Sequence, residues 1–169
     1  MEIIETERLL IRQIGIDDAN FIIELLNDPS FIQNIGDRKV RNVEDARAYV
    51  LNGPVASYAK NGFGLGLVIL KATDESIGMC GLIKRDALED VDIGYAYLPR
   101  YWSRGYAVEA ALAIKTYAKE TIQLNRLVAI VDPANAGSIR VLEKIGMKFE
   151  RMVRLSQDDI ELRLFACEL

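Results

Sequence analysis

Apolar and polar positions along the chain change period several times, and each change marks an element. Glu7 to Ile14 alternates loosely and predicts a first strand. Asp17 or Asp18 can cap a helix with Phe21, Ile22, Leu25 and Leu26 on one face, and Asp28-Pro29 is its expected stop. Asn42 suits the cap of a second helix, with Val43, Ala46, Tyr49 and Val50 at helical spacing and Gly53-Pro54 behind it. A shorter helical piece from Val55 to Lys60 follows. The period then drops to two: Gly64 to Leu70, Ser76 to Lys84 and Val91 to Leu98 read as three strands. Thr73-Asp74-Glu75 joins the first two and the acidic turn Asp86 to Asp90 joins the second two. Connections this short favour antiparallel neighbours.

Helical spacing returns from about Gly105 to Thr121, where Ala107, Ala111, Ile114 and Ala118 share a face. Arg126 to Val131 is a β-branched strand, and Asn135 to Ile145 a helix closed by Gly146. Two strands, Met147 to Leu155 and Asp159 to Cys167, finish the chain. This order predicts an α+β (mixed α/β) fold in a single domain over residues 1–169, without the strict alternation of a doubly wound nucleotide fold.

Composition narrows the chemistry. The 169 residues include no histidine, which rules out a Ser-His-Asp triad, a Cys-His pair and a histidine metal cluster. The two cysteines, Cys80 and Cys167, cannot build a four-thiolate zinc site, so no metal is expected; both read as small core residues. Lys plus Arg is 21 against 25 for Asp plus Glu, a net charge of -4, which disfavours nucleic acid as a partner. The first residues are acidic, unlike a signal peptide, and the longest apolar stretch, Phe63 to Leu70, is far short of the ~20 residues that span a bilayer. A cytoplasmic chain with no membrane partner, monomeric or homodimeric, is the expectation. Chemistry is left to backbone amides, hydroxyls, carboxylates and the substrate.

The most informative stretch runs from Val91 to Ala110. A strand ends near Pro99, a short loop follows, and Gly105 opens a long helix. The first turn of a helix has unpaired N–H groups and a partial positive charge, so a loop wrapped around them can hold phosphate. Gly105 allows close approach, Ala107 keeps the first turn free of bulk, and Arg104, with Arg100 as a second candidate, adds charge. An ordinary strand-to-helix turn is the alternative. Gly62-Phe-Gly-Leu-Gly66 enters a strand with no helix behind it, so it is no dinucleotide loop.

Tyr101-Trp-Ser-Arg-Gly-Tyr-Ala-Val-Glu-Ala110 resembles the acetyl-CoA loop of the GNAT acyltransferase superfamily, in particular the branch that acetylates N-terminal amines of ribosomal proteins. Gly105 and Ala107 match the loop pattern, while Trp102 replaces its leading basic residue, as is typical of that branch. Asn135-Ala-Gly-Ser138 with Lys144-Ile-Gly-Met-Lys-Phe149 is similar to a second motif of the branch, and Thr6-Glu-Arg-Leu-Leu-Ile-Arg12 to its first strand. The resemblance spans residues 6 to 167. It implies a twisted, mostly antiparallel sheet flanked by helices, split where the strands at 91–98 and 126–131 diverge to admit acetyl-CoA.

The resemblance further implies that the amides of Ser103, Arg104, Gly105, Tyr106 and Ala107 hold the coenzyme pyrophosphate. Ala96, Tyr97 and Leu98 would pair with the pantetheine arm, with the Leu98 amide aimed at the thioester carbonyl, where a fixed donor assists acyl transfer. Asn135 would cap its helix, contact the coenzyme, or both. Ser138 would donate a proton to the leaving thiolate, because the tyrosine that many members place seven residues after the asparagine is Leu142 here. Asp92 is the first candidate for general base, with another carboxylate or water as alternatives. Glu109 is expected on the solvated part of its helix, and Tyr95, Tyr97 and Tyr101 as core or as the wall of an acceptor pocket.

The acceptor is then a primary amine. An α-amino group, with a pKa near 7.7–8.0, is neutral at pH 7 far more often than lysine near 10.4, so weak base machinery favours a protein N-terminus. A small-molecule amine such as a polyamine or an aminoglycoside, or a module that binds acetyl-CoA without catalysis, are the alternatives.

Overall fold

Side-chain caps set three of the six α-helix starts. A computed structural model describes residues 1–169. Strands β1 (Ile4–Glu5) and β2 (Leu9–Gln13) lead into α1 (Ala19–Asn27). Asp28 ends α1 but opens α2 (Pro29–Asn34), with its carboxylate accepting the Ser30 amide at 2.9 Å and Pro29 in the first helical position. The expected stop is therefore a junction, because a proline in the first turn gives up no helical hydrogen bond. Asn42 caps α3 (Val43–Val50) by accepting the Asp45 amide at 2.8 Å.

Gly53-Pro54 does not end that helix. A π turn over Leu51–Val55 carries it into α4 (Ala56–Asn61), since the wider turn accommodates a residue without an amide hydrogen. Strands β3 (Leu65–Leu70), β4 (Glu75–Ile83) and β5 (Asp92–Tyr97) follow as expected, then α5 (Tyr106–Glu120), β6 (Arg126–Val131), α6 (Ala136–Lys144), β7 (Lys148–Val153) and β8 (Leu162–Glu168). The last two strands are shorter than their sequence pattern suggests, because residues 154–161 form the connecting turn.

All eight strands form one sheet in the order β1-β2-β3-β4-β5-β6-β8-β7. Every pairing is antiparallel except β5 with β6. Gly81 is required where β3 and β4 close up, since a Cβ there would lie 2.2 Å from the Gly64 carbonyl oxygen.

One junction differs from the rest. β4 and β5 pair from Ile83↔Asp92 through Gly78↔Tyr97, whereas parallel β5 and β6 pair only at Asp92↔Val128. Val128 donates to the Val91 carbonyl at 3.1 Å, and beyond that point the strands part. The main core runs beneath the junction, joining Leu9, Ile11, Leu67, Ile93 and Tyr97 to Ile22, Leu26, Ala110 and Ile114 and to Leu127, Ala129 and Phe165 of the β6–β8 half. A smaller cluster of Leu88, Val128, Val153, Leu164 and Ala166 packs against the β6–β8 half. With pairing confined to that one point, the C-terminal ends of β5 and β6 leave a wedge-shaped gap between them. No helix is long and apolar enough to cross a membrane.

Candidate active site

The loop between β5 and α5 leaves its amides free. Ser103 and Gly105 both hold positive φ, at 59° and 83°, and Gly105 stands at the N-cap with no side chain capping the helix. Alternation of this kind turns successive N–H groups toward one concavity, a geometry that binds anions. The backbone amides from Ser103 through Val108 donate to no protein atom, and the first bond of α5 is Glu109 N–H to the Gly105 carbonyl at 3.0 Å. Arg104 is exposed and forms no ion pair, so its charge stands open at the mouth of the loop.

Glu109 is not on a solvated face, and this expectation needs correction. Its carboxylate accepts from the Thr6 hydroxyl at 2.6 Å, the Arg8 amide at 2.9 Å and Arg8 Nε at 2.6 Å. Burial opposes the charge, but these hydrogen bonds outweigh it and hold the carboxyl below its ordinary range. The start of the sheet is thereby fastened to the first turn of α5. The physical reason is long-range: the partners are about a hundred positions away in the chain.

The parity of the β4–β5 ladder decides which amides face the gap. Leu98 N–H donates to the Ile77 carbonyl at 3.1 Å, so it is engaged by β4 and not turned toward β6. Amides alternate sides along a strand, which turns those of Tyr95 and Tyr97 toward β6, beyond the single pairing point. Ala96 shares the orientation of Leu98, so its amide also faces β4. Trp102 Nε1 donates to the Tyr97 carbonyl at 2.8 Å, which pins the end of β5 to the loop. The Tyr97 hydroxyl is buried without a hydrogen-bond partner near Cys80, whose thiol is pushed up to about 12 by burial. Cys80 is inert core at that position.

On the opposite lip, Asn135 Oδ1 accepts the Ser138 amide at 3.1 Å and caps α6, which leaves its Nδ2 to donate elsewhere. Ser138 Oγ lies 2.9 Å from the Tyr95 hydroxyl, which also reaches the Ser138 carbonyl at 3.1 Å. This contact crosses the split between β5 and α6. Burial raises the Tyr95 phenol above its usual range, and the Ser138 hydrogen bond only partly offsets that. Leu142 is fully packed in the core.

Asp92 is the only charged residue among the buried set, at 1% exposure. Both its oxygens lie 3.2 Å from Arg85 Nε. Burial raises its pKa while Arg85 opposes the rise. It sits at the point where β5 and β6 still pair, the closed end of the gap, so a substrate amine would reach it only through water.

The fold thus gathers the loop at 103–107, the Tyr95 and Tyr97 amides, and the Asn135–Ser138 cap around one wedge. The donor set fits a phosphate-bearing, strand-like ligand. Sequence reasoning missed the Tyr95–Ser138 contact and the Thr6–Arg8–Glu109 fastening. The strand parity of Tyr95 carried a signal for the first; nothing local signalled the second.

Comparison with known proteins follows the same outline. The acetyltransferase (GNAT) domain family model matches residues 8–148. An uncharacterised N-acetyltransferase of Bacillus licheniformis is 31% identical over 157 residues, covering 91% of this chain and 86% of its own length. An uncharacterised protein of Bacillus subtilis is 38% identical over 99 residues, 56% of this chain, and the chain spans only 58% of that relative's length. Among solved structures, a GNAT-family acetyltransferase from Bacillus anthracis superposes with a TM-score of 0.81 at 29% identity, covering 99% of this chain and 98% of that one. A ribosomal L7/L12 α-N-protein acetyltransferase in complex with coenzyme A has the same fold, with a TM-score of 0.86 at 16% identity over 99% of this chain and 98% of that one.

Proposed function

The chain belongs to the GNAT acetyltransferase family and is an N-acetyltransferase, and from that premise we propose that its acceptor is the α-amine of a protein N-terminus. The observation that carries the site assignment is the run of unpaired amides from Ser103 to Val108 at the mouth of the β5–β6 gap. In this reading the amides of Ser103, Arg104, Gly105, Tyr106 and Ala107 bind the pyrophosphate of acetyl-CoA. The edge of β5 from Ala96 to Leu98 lies along the pantetheine arm, with the Tyr97 amide as its first donor in place of that of Leu98. Asn135 supplies a further donor from the opposite lip.

Acetyl-CoA supplies the thioester that the amine attacks directly; with both cysteines and every serine unactivated by histidine, a covalent enzyme intermediate has no obvious nucleophile. The gap-facing amides of Tyr95 and Tyr97 are placed to donate to a carbonyl oxygen on which negative charge grows. Ser138 donates a proton to the departing thiolate, and the Tyr95 hydroxyl beside it is the nearest source to replenish that proton. Asp92 takes the proton of the amine through a water, its carboxylate being sealed from direct contact.

Support for an α-amine is chemical: a base that works only through water suits an acceptor that is already partly neutral at pH 7. The fold shared with the ribosomal L7/L12 α-N-protein acetyltransferase agrees with it. The test is calorimetric confirmation of acetyl-CoA binding, followed by a thiol-release assay against N-terminal peptides, N-acetylated lysine peptides, polyamines and aminoglycosides. Turnover with peptide α-amines at least tenfold above the others is expected. A preference for polyamine or aminoglycoside would move the acceptor to small molecules, and binding without turnover on any amine would leave a coenzyme-binding module.

A further inference from the structure

Arg8 has no place in the reading above, yet it both bonds to the phosphate loop and stacks on it. Its Nη1 donates to the Arg104 carbonyl at 2.9 Å, while its Nε and its backbone amide hold Glu109 at 2.6 and 2.9 Å. The guanidinium carbon lies 4.5 Å from the centre of the Tyr106 ring, within cation–π range. A Cβ at Gly105 would lie 3.2 Å from Nη2. One guanidinium from β2's leading edge therefore touches Arg104, Tyr106 and Glu109 together and fills the space where a side chain at Gly105 would sit.

The peptide between Arg104 and Gly105 makes this arrangement functional. A trans peptide is planar, with its C=O and N–H pointing in opposite directions. Fixing the Arg104 carbonyl on the Arg8 side aims the Gly105 amide away from it, and that amide is one of those with no protein acceptor. The fixed positive charge behind the carbonyl also favours an anion in front of the amide. Only a planar fork can bond Glu109 and the Arg104 carbonyl at once while stacking on Tyr106.

We propose that Arg8 is a positioning residue for coenzyme binding: it acts through Arg104 and Gly105 to hold the phosphate loop in its anion-binding form. The inference rests on the acetyl-CoA reading of that loop. It predicts that loss of Arg8 weakens donors that carry a pyrophosphate and spares those that do not. A strut that merely stabilises the fold would weaken both alike.

The test compares acetyl-CoA with S-acetylpantetheine, which lacks the pyrophosphate, as donors for the full chain and for Arg8→Ala and Arg8→Lys. The wild-type protein is expected to prefer acetyl-CoA. In Arg8→Ala that preference in kcat/KM should shrink about tenfold, the worth of one charge-assisted hydrogen bond, with the loss lying in KM for acetyl-CoA and not in kcat. Arg8→Lys should fail to rescue it, because an ammonium keeps the charge without the fork. Glu109→Gln, which loosens the fork from its other side, should shift the ratio in the same direction. An equal fall for both donors, an unchanged ratio, or full rescue by lysine would overturn the proposal. A wild-type protein that binds no acetyl-CoA would instead overturn the coenzyme reading on which it rests.

Discussion

The Tyr95 hydroxyl and Ser138 Oγ stand 2.9 Å apart across the split between β5 and α6. They come from opposite lips of the wedge, and each has a second neighbour there: Tyr95 the Ser138 carbonyl, Ser138 the Asn135 cap through its amide. A ligand in the gap would meet both hydroxyls together. If they work as a pair, Ser138→Ala should lower kcat by roughly 10²-fold, the lower end of what a positioned acid contributes, with a smaller effect on coenzyme affinity. Tyr95→Phe keeps the ring and removes the hydroxyl, and a fall of about tenfold in kcat is expected. Steady-state kinetics beside calorimetry separate the two effects. Equal turnover in Ser138→Ala would remove that residue from the mechanism.

Asp92 carries the clearest pH signature. Its carboxyl is raised by burial, so a base of this kind places the acid limb of the kcat/KM profile above the ordinary carboxylate value of about 3.9. In Asp92→Asn that limb should vanish and kcat/KM should drop by ~10²-fold or more. The substitution also strands Arg85, so thermal unfolding should be followed alongside. Retention of the limb in the variant would give the base role to another group.

Trp102 is the chain's single tryptophan and a built-in reporter. It is 48% exposed at the start of the phosphate loop, with its indole nitrogen bound to the Tyr97 carbonyl. Coenzyme binding in the adjoining gap should change its fluorescence, and the titration should give the same Kd as calorimetry. Trp102→Phe deletes the hydrogen bond, a loss of about 1 kcal/mol, and KM for acetyl-CoA should rise roughly fivefold. No spectral change on saturation with coenzyme would place the ligand elsewhere.

The Glu109 fastening should be visible in acid. Its folded pKa lies below the unfolded value, so the stability it contributes is complete above the unfolded pKa and is lost as pH falls through the folded one. Denaturant midpoints measured from pH 6 down to pH 3 should decline, and Glu109→Gln should decline less steeply while starting lower. An identical slope in both proteins would show that the carboxylate adds nothing to the fold.

Local pattern marks most of the elements, though it missed the short β1 and α2. Residues that cap or stop a helix act within four positions, so Asn42, Asn135 and Gly105 announce their roles in the primary structure. The same local reading failed at Asp28-Pro29 and Gly53-Pro54, where proline permits either an end or a new turn and packing decides. The motif at 101–110 pointed to the family, and the family match over residues 8–148 bears that out.

What only the tertiary structure decided is which group faces which. The Leu98 amide is the donor that the motif implies, while ladder register engages it with Ile77 and turns that of Tyr97 toward the gap, a matter of strand pairing that a single strand cannot encode. Glu109 read as solvated because its partners, Thr6 and Arg8, lie at the far end of the chain. Chain order by itself determined the strands, helices, loop and missing histidine of this acetyltransferase. The wedge, its facing amides and the Arg8 fork exist only once distant segments pack, because each is a relation between elements and not a property of one.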